Sequence, residues 1–310
     1  MYNIIDAHCD TAYELYKILG DLNANQLSFS IDKIKKYHSY IQFFAVWSDP
    51  VYIGEQSLHM AKKIIEYLKY QLTLYQVPII LNRCDLEKYR DTKGLKCFLT
   101  VEGGEPVGED ICNLDLLYEM GVRLMTLTWN GINAIGCGSM SGWEKGLTDF
   151  GKQVVRRMNQ LGMTVDVSHL NEAGFYDVME ITQKPVMASH SNSKFLHPHK
   201  RNLSDEQFLE LVENNGVTGI NIYPLFLGKE ENLSVMVRHI EHFLSLGGED
   251  HIGIGTDFDG IDRTIPEIQD ASQMENLINR LLQLNYSETV IKKISFENVY
   301  RVIYENLNNE

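Results

Sequence analysis

Short apolar or β-branched runs alternate with amphipathic stretches along almost all of this 310-residue chain, and few folds accept that alternation. Candidate strands lie at Asn3 to His8, Tyr40 to Val46, Lys96 to Val101, Arg123 to Thr128, Thr164 to Ser168, Pro185 to Ser189, Thr218 to Tyr223 and His251 to Thr256. Strands separated by helices pair in parallel through crossovers, so about eight such units predict an α/β fold, a (β/α)8 TIM-like barrel. Gln56 to Tyr75 carries Leu58, Ile64, Ile65 and Leu68 on one face, and Lys152 to Leu161 carries Val154, Val155 and Met158, as outer-ring helices do. Beyond the last strand, Ala271 to Leu284 and Glu288 to Tyr304 predict two extra C-terminal helices, separated by Asn285 to Ser287. Leu19 to Tyr37 reads as a loop with a short helix that helps to cover the barrel mouth.

No Pro/Ser-rich linker, low-complexity tract or internal repeat divides the chain, so residues 1–310 are expected to form a single barrel domain. With 44% hydrophobic residues it can bury a large core. A formal net charge of −14, with no lysine- and arginine-rich block, argues against a nucleic-acid partner. The five cysteines (Cys9, Cys84, Cys97, Cys112 and Cys137) are odd in number and include no CxxC pair, which argues against a disulfide framework and a cysteine zinc ribbon. Cys9, Cys97, Cys112 and Cys137 are expected to pack as small apolar groups, and a reducing compartment fits best. The first residues lack a charged segment followed by an apolar one and the last are polar, so the expectation is a cytoplasmic chain without a membrane anchor.

A parallel barrel gathers the C-terminal ends of its strands around one mouth, so residues that close successive strands become neighbours. Six potential metal or proton ligands follow such runs: His8, Asp10, Glu102, His169, His190 and Asp257. In Asp6-Ala7-His8-Cys9-Asp10, strand alternation points His8 and Asp10 to one side, where an imidazole and a carboxylate can share a divalent ion. Alone, such a pair is ordinary at a strand end. Asp6 shares that parity and either orients a ligand or simply hydrogen-bonds in the core. Glu102 precedes Gly103-Gly104, where the backbone can turn sharply; it either bridges two metals or is a solvated glutamate opening a loop. His169 and His190 close consecutive strands in matching Ser-His contexts, which favours a paired ligand role over two separate core histidines. Asp257, directly after the last strand, can accept a proton from water and return it to a departing amine, whereas Asp259 is expected to shape the turn. His38, His59, His239, His242 and His251 fall on helices or strand starts and receive no site role.

The ordered set Asp6-Ala7-His8-Cys9-Asp10, Glu102-Gly103-Gly104, Thr126-Leu127-Thr128-Trp129-Asn130, Asp166-Val167-Ser168-His169, Ser189-His190-Ser191-Asn192, Arg201-Asn202-Leu203 and Gly255-Thr256-Asp257-Phe258-Asp259-Gly260 resembles the membrane (renal) dipeptidase family, amidohydrolase-like zinc metallopeptidases. With Glu297 to Val302 in the last helix, the resemblance covers essentially the whole chain. It implies two Zn2+ per chain, one held by His8 and Asp10 and the other by His169 and His190, with Glu102 bridging. It also implies hydrolysis of dipeptides by a metal-bridging hydroxide, with tolerance of a D-residue at the C-terminal position. Asp257 matches the family's acid/base aspartate. Arg201 matches the residue that faces the substrate carboxylate, a partner suited to a guanidinium fork, although by itself it reads as a solvated loop charge. Tyr223 falls where the family places a tyrosine near substrate, with strand-end packing as the other reading.

One departure concerns the reaction. Trp129 stands where many animal members carry a histidine thought to stabilise the tetrahedral intermediate, and indole cannot accept a proton. The metals, Asn130 or another group must then supply that function, or the substrate range differs. Alternatives to a dipeptide are another small amide, a lactam or an ester, and a metal-binding homologue without turnover. Mixed imidazole and carboxylate donors favour zinc, while manganese or cobalt could occupy the same cage. Family members are often homodimers, so a homodimer is the assembly the resemblance suggests.

Overall fold

The computed structural model describes residues 2–309. Eight parallel strands pair in sequence order and close into a barrel: β1 (Asn3–Cys9), β2 (Ser39–Trp47), β3 (Gly94–Glu102), β4 (Val122–Thr126), β5 (Thr164–Asp166), β6 (Met187–Ala188), β7 (Val217–Ile220) and β8 (Ile252–Ile254). Each expected run is matched by a strand, and the (β/α)8 architecture is the observed one. The strands β5 to β8 stop short of their expected ends for a local reason. Backbone donors at these tips bond to side chains instead of to a neighbouring strand: Ser168 and Ser189 N–H each donate to Asp166 Oδ1 at 2.9 Å, Tyr223 N–H to Asn221 Oδ1 at 2.7 Å and Thr256 N–H to Asp6 Oδ1 at 2.9 Å.

The outer helices follow their apolar stripes. Glu55–Leu74 buries Ala61, Ile64, Ile65, Leu68 and Leu72 against the barrel. Asp149–Leu161 starts before the expected Lys152 because the Thr148 side chain caps Gly151 N–H, and it stops at Gly162, whose φ of 72° is the left-handed conformation glycine tolerates. The first expected C-terminal helix is a 3-10 turn (Ala271–Gln273) followed by Glu275–Gln283; the second is helical through Asn306 with a π turn at Lys293–Glu297. Its Val299, Val302 and Ile303 join Ile5, Ile41, Phe43, Phe98, Leu124, Met187 and Val217 in one apolar cluster. Gly253 admits this helix, since a Cβ there would lie 2.5 Å from Val299 Cγ2. The C-terminal helix therefore closes the N-terminal end of the barrel and leaves chemistry to the opposite end.

Leu19 to Tyr37 departs from its expected position. Its short helix is Ile31–Ile34, but buried Leu22 and Phe29 draw the segment onto the barrel flank, with Phe29 packed on Tyr40 and Phe44 of β2. None of its residues lines the mouth cavity described below.

Candidate metal centre and substrate pocket

Five strands deliver the six expected side chains to one place. The β1–β2 register shifts between Asp6 and Cys9, so plain alternation does not hold there. His8 and Asp10 nevertheless meet, with Nε2 3.4 Å from Oδ2. Asp6 turns instead to β8, where its Oδ2 accepts the Thr256 hydroxyl at 2.6 Å. Glu102, the last residue of β3, places Oε1 3.7 Å from His8 Nε2, 2.8 Å from His169 Nε2 and 3.5 Å from His190 Nε2. Asp257 Oδ1 lies 3.9 Å from His8 Nε2. Two groups have all their ligand atoms within 4.8 Å of one another: His8 with Glu102 and His190, and His8 with Asp10 and Asp257. These groups overlap at His8 instead of dividing into the two expected ligand pairs, and His169 joins through Glu102.

The turns around this cluster are conformationally expensive. His169, Asp257 and Asp259 adopt φ values of 68°, 64° and 68°, a region non-glycine residues seldom occupy and one that recurs at functional sites. Gly260 has no room for a side chain, because a Cβ would lie 2.1 Å from Asp10 Oδ2 and 2.7 Å from Asp257 Oδ1. Asp259 shapes the turn as expected, accepting the Thr11 hydroxyl and the Ser28 N–H, both at 2.6 Å.

Burial disfavours charge on Glu102, Asp257 and the three histidines. It raises Glu102 well above the usual carboxylate range, with Asp10 reinforcing and His8 opposing. Burial likewise raises Asp257 to about 6 against the pull of His8. It holds His169 and His190 neutral well below the usual imidazole range, helped by the positive charges of Arg201 and His8. His8 alone goes the other way: burial opposes, but Glu102, Asp10 and Asp257 together raise it to about 10. Three carboxylates packed this closely call for a cation.

The donor set fits one. His8 Nε2, Asp10 Oδ1 and His190 Nε2 are buried without a hydrogen-bond partner among the described residues. Such atoms are costly when unsatisfied, and a divalent ion among imidazole nitrogens and carboxylate oxygens would satisfy them. Supporting groups hold the cluster from behind: Asn221 Nδ2 donates to Asp257 Oδ2 at 2.8 Å, and Asn130 Oδ1 lies 3.0 Å from His169 Nδ1. Asn221, Asp166 and Ser189 were not singled out from the sequence. The usable signal for Asp166 was its place two residues ahead of Ser168, as Asp6 stands two ahead of His8.

Above the cluster opens a cavity of about 220 Å³, lined by Asp10, Glu102, His169 and Asp257 and by an apolar wall that includes Tyr13, Trp47, Trp129, Tyr223, Phe226 and Ile261. Trp129 packs edge-on against Trp47 at 5.3 Å between centroids, and Trp47 against Tyr13 at 4.9 Å. Tyr13, Trp47, Phe226 and Ile261 carry no sequence motif and were missed; Asn130, Trp129 and Tyr223 were expected here and line the cavity. Arg201 is buried rather than a solvated loop charge, with Nε and Nη2 unpartnered among the described residues. It lines a smaller recess beside His169, its guanidinium 5.4 Å from the Phe226 centroid.

Residues 1–310 match the family model of membrane dipeptidase, peptidase family M19. The chain belongs to that family. It is accordingly a metallodipeptidase, a metal-dependent hydrolase of dipeptides. A Klebsiella pneumoniae protein described as uncharacterized, in the pqqA 5′ region, is 34% identical over 272 residues, 84% of this chain and 98% of that protein. An uncharacterized dipeptidase of Schizosaccharomyces pombe is 33% identical over 67% of this chain and 52% of its own length. Among solved structures, a family M19 metallopeptidase, dipeptidase AC, superposes with a TM-score of 0.90 at 25% identity over 99% of both chains. A Rhodobacter sphaeroides metallopeptidase liganded with a phosphinate mimic of L-Ala-D-Ala shares the fold, with a TM-score of 0.90 at 24% identity over 98% of this chain and 99% of that one. Despite the family's name, no helix among the described residues is long and apolar enough to cross a membrane.

Proposed function

We propose that this metallodipeptidase is a binuclear zinc enzyme, with one ion held by His8 and Asp10, the other by His169 and His190, and Glu102 shared between them. The observation that carries the reading is the convergence of three imidazole nitrogens from β1, β5 and β6 on a single oxygen, Glu102 Oε1, at 3.7, 2.8 and 3.5 Å. When bound, such ions lower the pKa of water and polarise a carbonyl. The chain's own residues supply the remaining functions.

Asp257, fixed by Asn221, takes a proton at its carboxylate and returns it to the leaving nitrogen. Arg201 pairs its fork with the free C-terminal carboxylate, which restricts the substrate to two residues. Trp129 cannot accept and pass a proton as a histidine does, although its indole N–H can still donate a hydrogen bond to the oxyanion. Asn130 has its oxygen engaged with His169, which leaves its amide N–H for that task. Tyr13, Trp47, Trp129 and Tyr223 pack the apolar parts of the substrate and exclude water.

Acceptance of a D-residue at the C-terminal position is proposed on the family resemblance. The phosphinate ligand belongs to the Rhodobacter protein, whose likeness to this chain is one of fold. The experiment is a zinc-reconstituted activity screen over L,L and L,D dipeptides, N-acyl amino acids and lactams, with elemental analysis of native and Asp257→Asn protein. The expected result is dipeptide hydrolysis, two metals per chain in both proteins and no turnover in the variant. Unchanged kcat in the variant removes Asp257 from the reaction, and hydrolysis confined to acyl amino acids or lactams replaces the substrate.

A further inference from the structure

We propose that Asp166 and Ser189 are positioning residues that set the tautomer of His190 through a polarised hydrogen-bond relay, leaving Nε2 bare toward the cage. This rests on the metal reading above and concerns how the ligand is prepared before an ion arrives. Asp166 is fully buried and engaged by four donors. Its Oδ1 accepts the backbone N–H groups of Ser168 and Ser189, each at 2.9 Å, and its Oδ2 accepts the hydroxyls of Thr126 and Ser189, each at 2.6 Å.

Ser189 has one hydroxyl hydrogen, and Asp166 takes it. The other nearby oxygen, Ser168 Oγ, is 3.4 Å away, too long to compete, and already accepts His190 N–H at 3.1 Å. Ser189 Oγ therefore turns a lone pair toward His190 Nδ1, 2.7 Å away. Two acceptors at that distance would repel, so Nδ1 carries the hydrogen. A neutral imidazole has only one, which leaves Nε2 as a bare lone pair. Nε2 is the atom that faces Glu102 Oε1 at 3.5 Å and has no hydrogen-bond partner among the described residues. A lone pair facing a carboxylate oxygen is repulsive until a cation comes between them, which is the arrangement of a metal-ligating histidine held by an acceptor behind it.

His169 has no such relay: its Nδ1 meets the neutral Asn130 Oδ1 at 3.0 Å, and its Nε2 lies 2.8 Å from Glu102 Oε1. The His190 relay differs in ending on a carboxylate, and that difference yields a specific test. In Asp166→Asn the two backbone N–H groups hold the amide oxygen at the Oδ1 position, so the NH2 group faces Ser189. The serine must then accept from it and donate to Nδ1, which moves the imidazole hydrogen onto Nε2. The nearly isosteric variant should reverse the relay, whereas Ser189→Ala merely releases it.

The direct readout is the His190 tautomer in metal-free protein, by long-range 15N–1H correlation on histidine-labelled enzyme. The second is Zn2+ affinity by competition with a chromophoric chelator. Native protein should show Nδ1–H, Ser189→Ala a mixture with about 10–100-fold weaker Zn2+ binding, Ser189→Thr near-native behaviour, and Asp166→Asn Nε2–H with the weakest binding. Nε2–H in native protein overturns the proposal, as does native Zn2+ affinity in a folded Asp166→Asn. If Asp166→Asn does not fold, the tautomers of the two Ser189 variants decide. Failure of native protein to bind Zn2+ would instead remove the metal reading, while the tautomer measurement would still judge the relay.

Discussion

Arg201 is a buried cation whose Nε and Nη2 find no partner among the described residues. Burial lowers its pKa to about 10 while Asp257, Glu102 and Asp166 pull the other way, so it remains charged at neutral pH. A charge kept in so dry a place, with two donors free, suits an incoming carboxylate better than it suits a structural role. Charge-assisted hydrogen bonds contribute roughly 1.5–3 kcal/mol, so Arg201→Ala should raise KM for a free dipeptide about 10–100-fold with a small change in kcat. Arg201→Lys keeps the charge but not the fork and should fall between. Steady-state kinetics on a dipeptide and its C-terminal amide checks this. The amide should bind native enzyme weakly and lose nothing further in the variant, and an unchanged KM for the free dipeptide would dismiss the clamp.

The helix Leu233–Ser245 shows how an element is tied to its surroundings by a group whose charge matters. His239 is fully buried; its Nδ1 accepts Ser193 N–H and its Nε2 donates to Leu227 C=O, both at 3.0 Å. Burial lowers its pKa from 6.5 to about 4, partly offset by the Leu227 carbonyl. Between those values the unfolded chain holds a proton that the native chain refuses, so stability rises with pH across the window and is lost as pH falls through it. The full effect is about 3 kcal/mol, complete below pH 4. Urea unfolding at pH 7, 5.5 and 4.5 should show that slope, and His239→Gln should flatten it even though the variant starts from lower stability. An equal slope in both proteins would place the acid sensitivity elsewhere. From sequence, His239 was legible as a helix residue with no site role. Its two bonds were not, because Ser193 lies in a loop and Leu227 ends a single-turn helix, Pro224–Leu227, and only tertiary packing brings both to it. The strand ends were misjudged for a related reason: hydrophobic runs locate a strand, but Asp6, Asp166 and Asn221 divert the terminal N–H groups out of the ladder.

For the molecule as a whole, the strand-end rule explains why the barrel and the polar cluster could be read together. A closed parallel sheet has one C-terminal rim, so residues as distant as His8 and Asp257 must be neighbours once eight strands are accepted. Trp129 and Tyr223 of the apolar wall were expected, but Tyr13 comes from a helix and Phe226 and Ile261 from segments beyond the strands, and no spacing marks them. The division between a closed apolar end and a charged open end also predicts what metal removal does. The cluster sealed by Val299, Val302 and Ile303 does not involve the cage, so the chelated protein should keep its far-ultraviolet circular dichroism. Without an ion, however, Asp10, Glu102 and Asp257 face one another with only His8 and Arg201 to balance them, and the native state loses the free energy of binding. At an ion concentration of 1,000 Kd that term is about 4 kcal/mol, which for a chain of this length corresponds to a fall in Tm on the order of 5–10 °C. Scanning calorimetry before and after chelation, and again after Zn2+ is restored, should show the fall and its reversal, with recovery increasing with the logarithm of free Zn2+. A Tm indifferent to both treatments would mean that no ion stabilises the cage, and the three carboxylates would then need another partner.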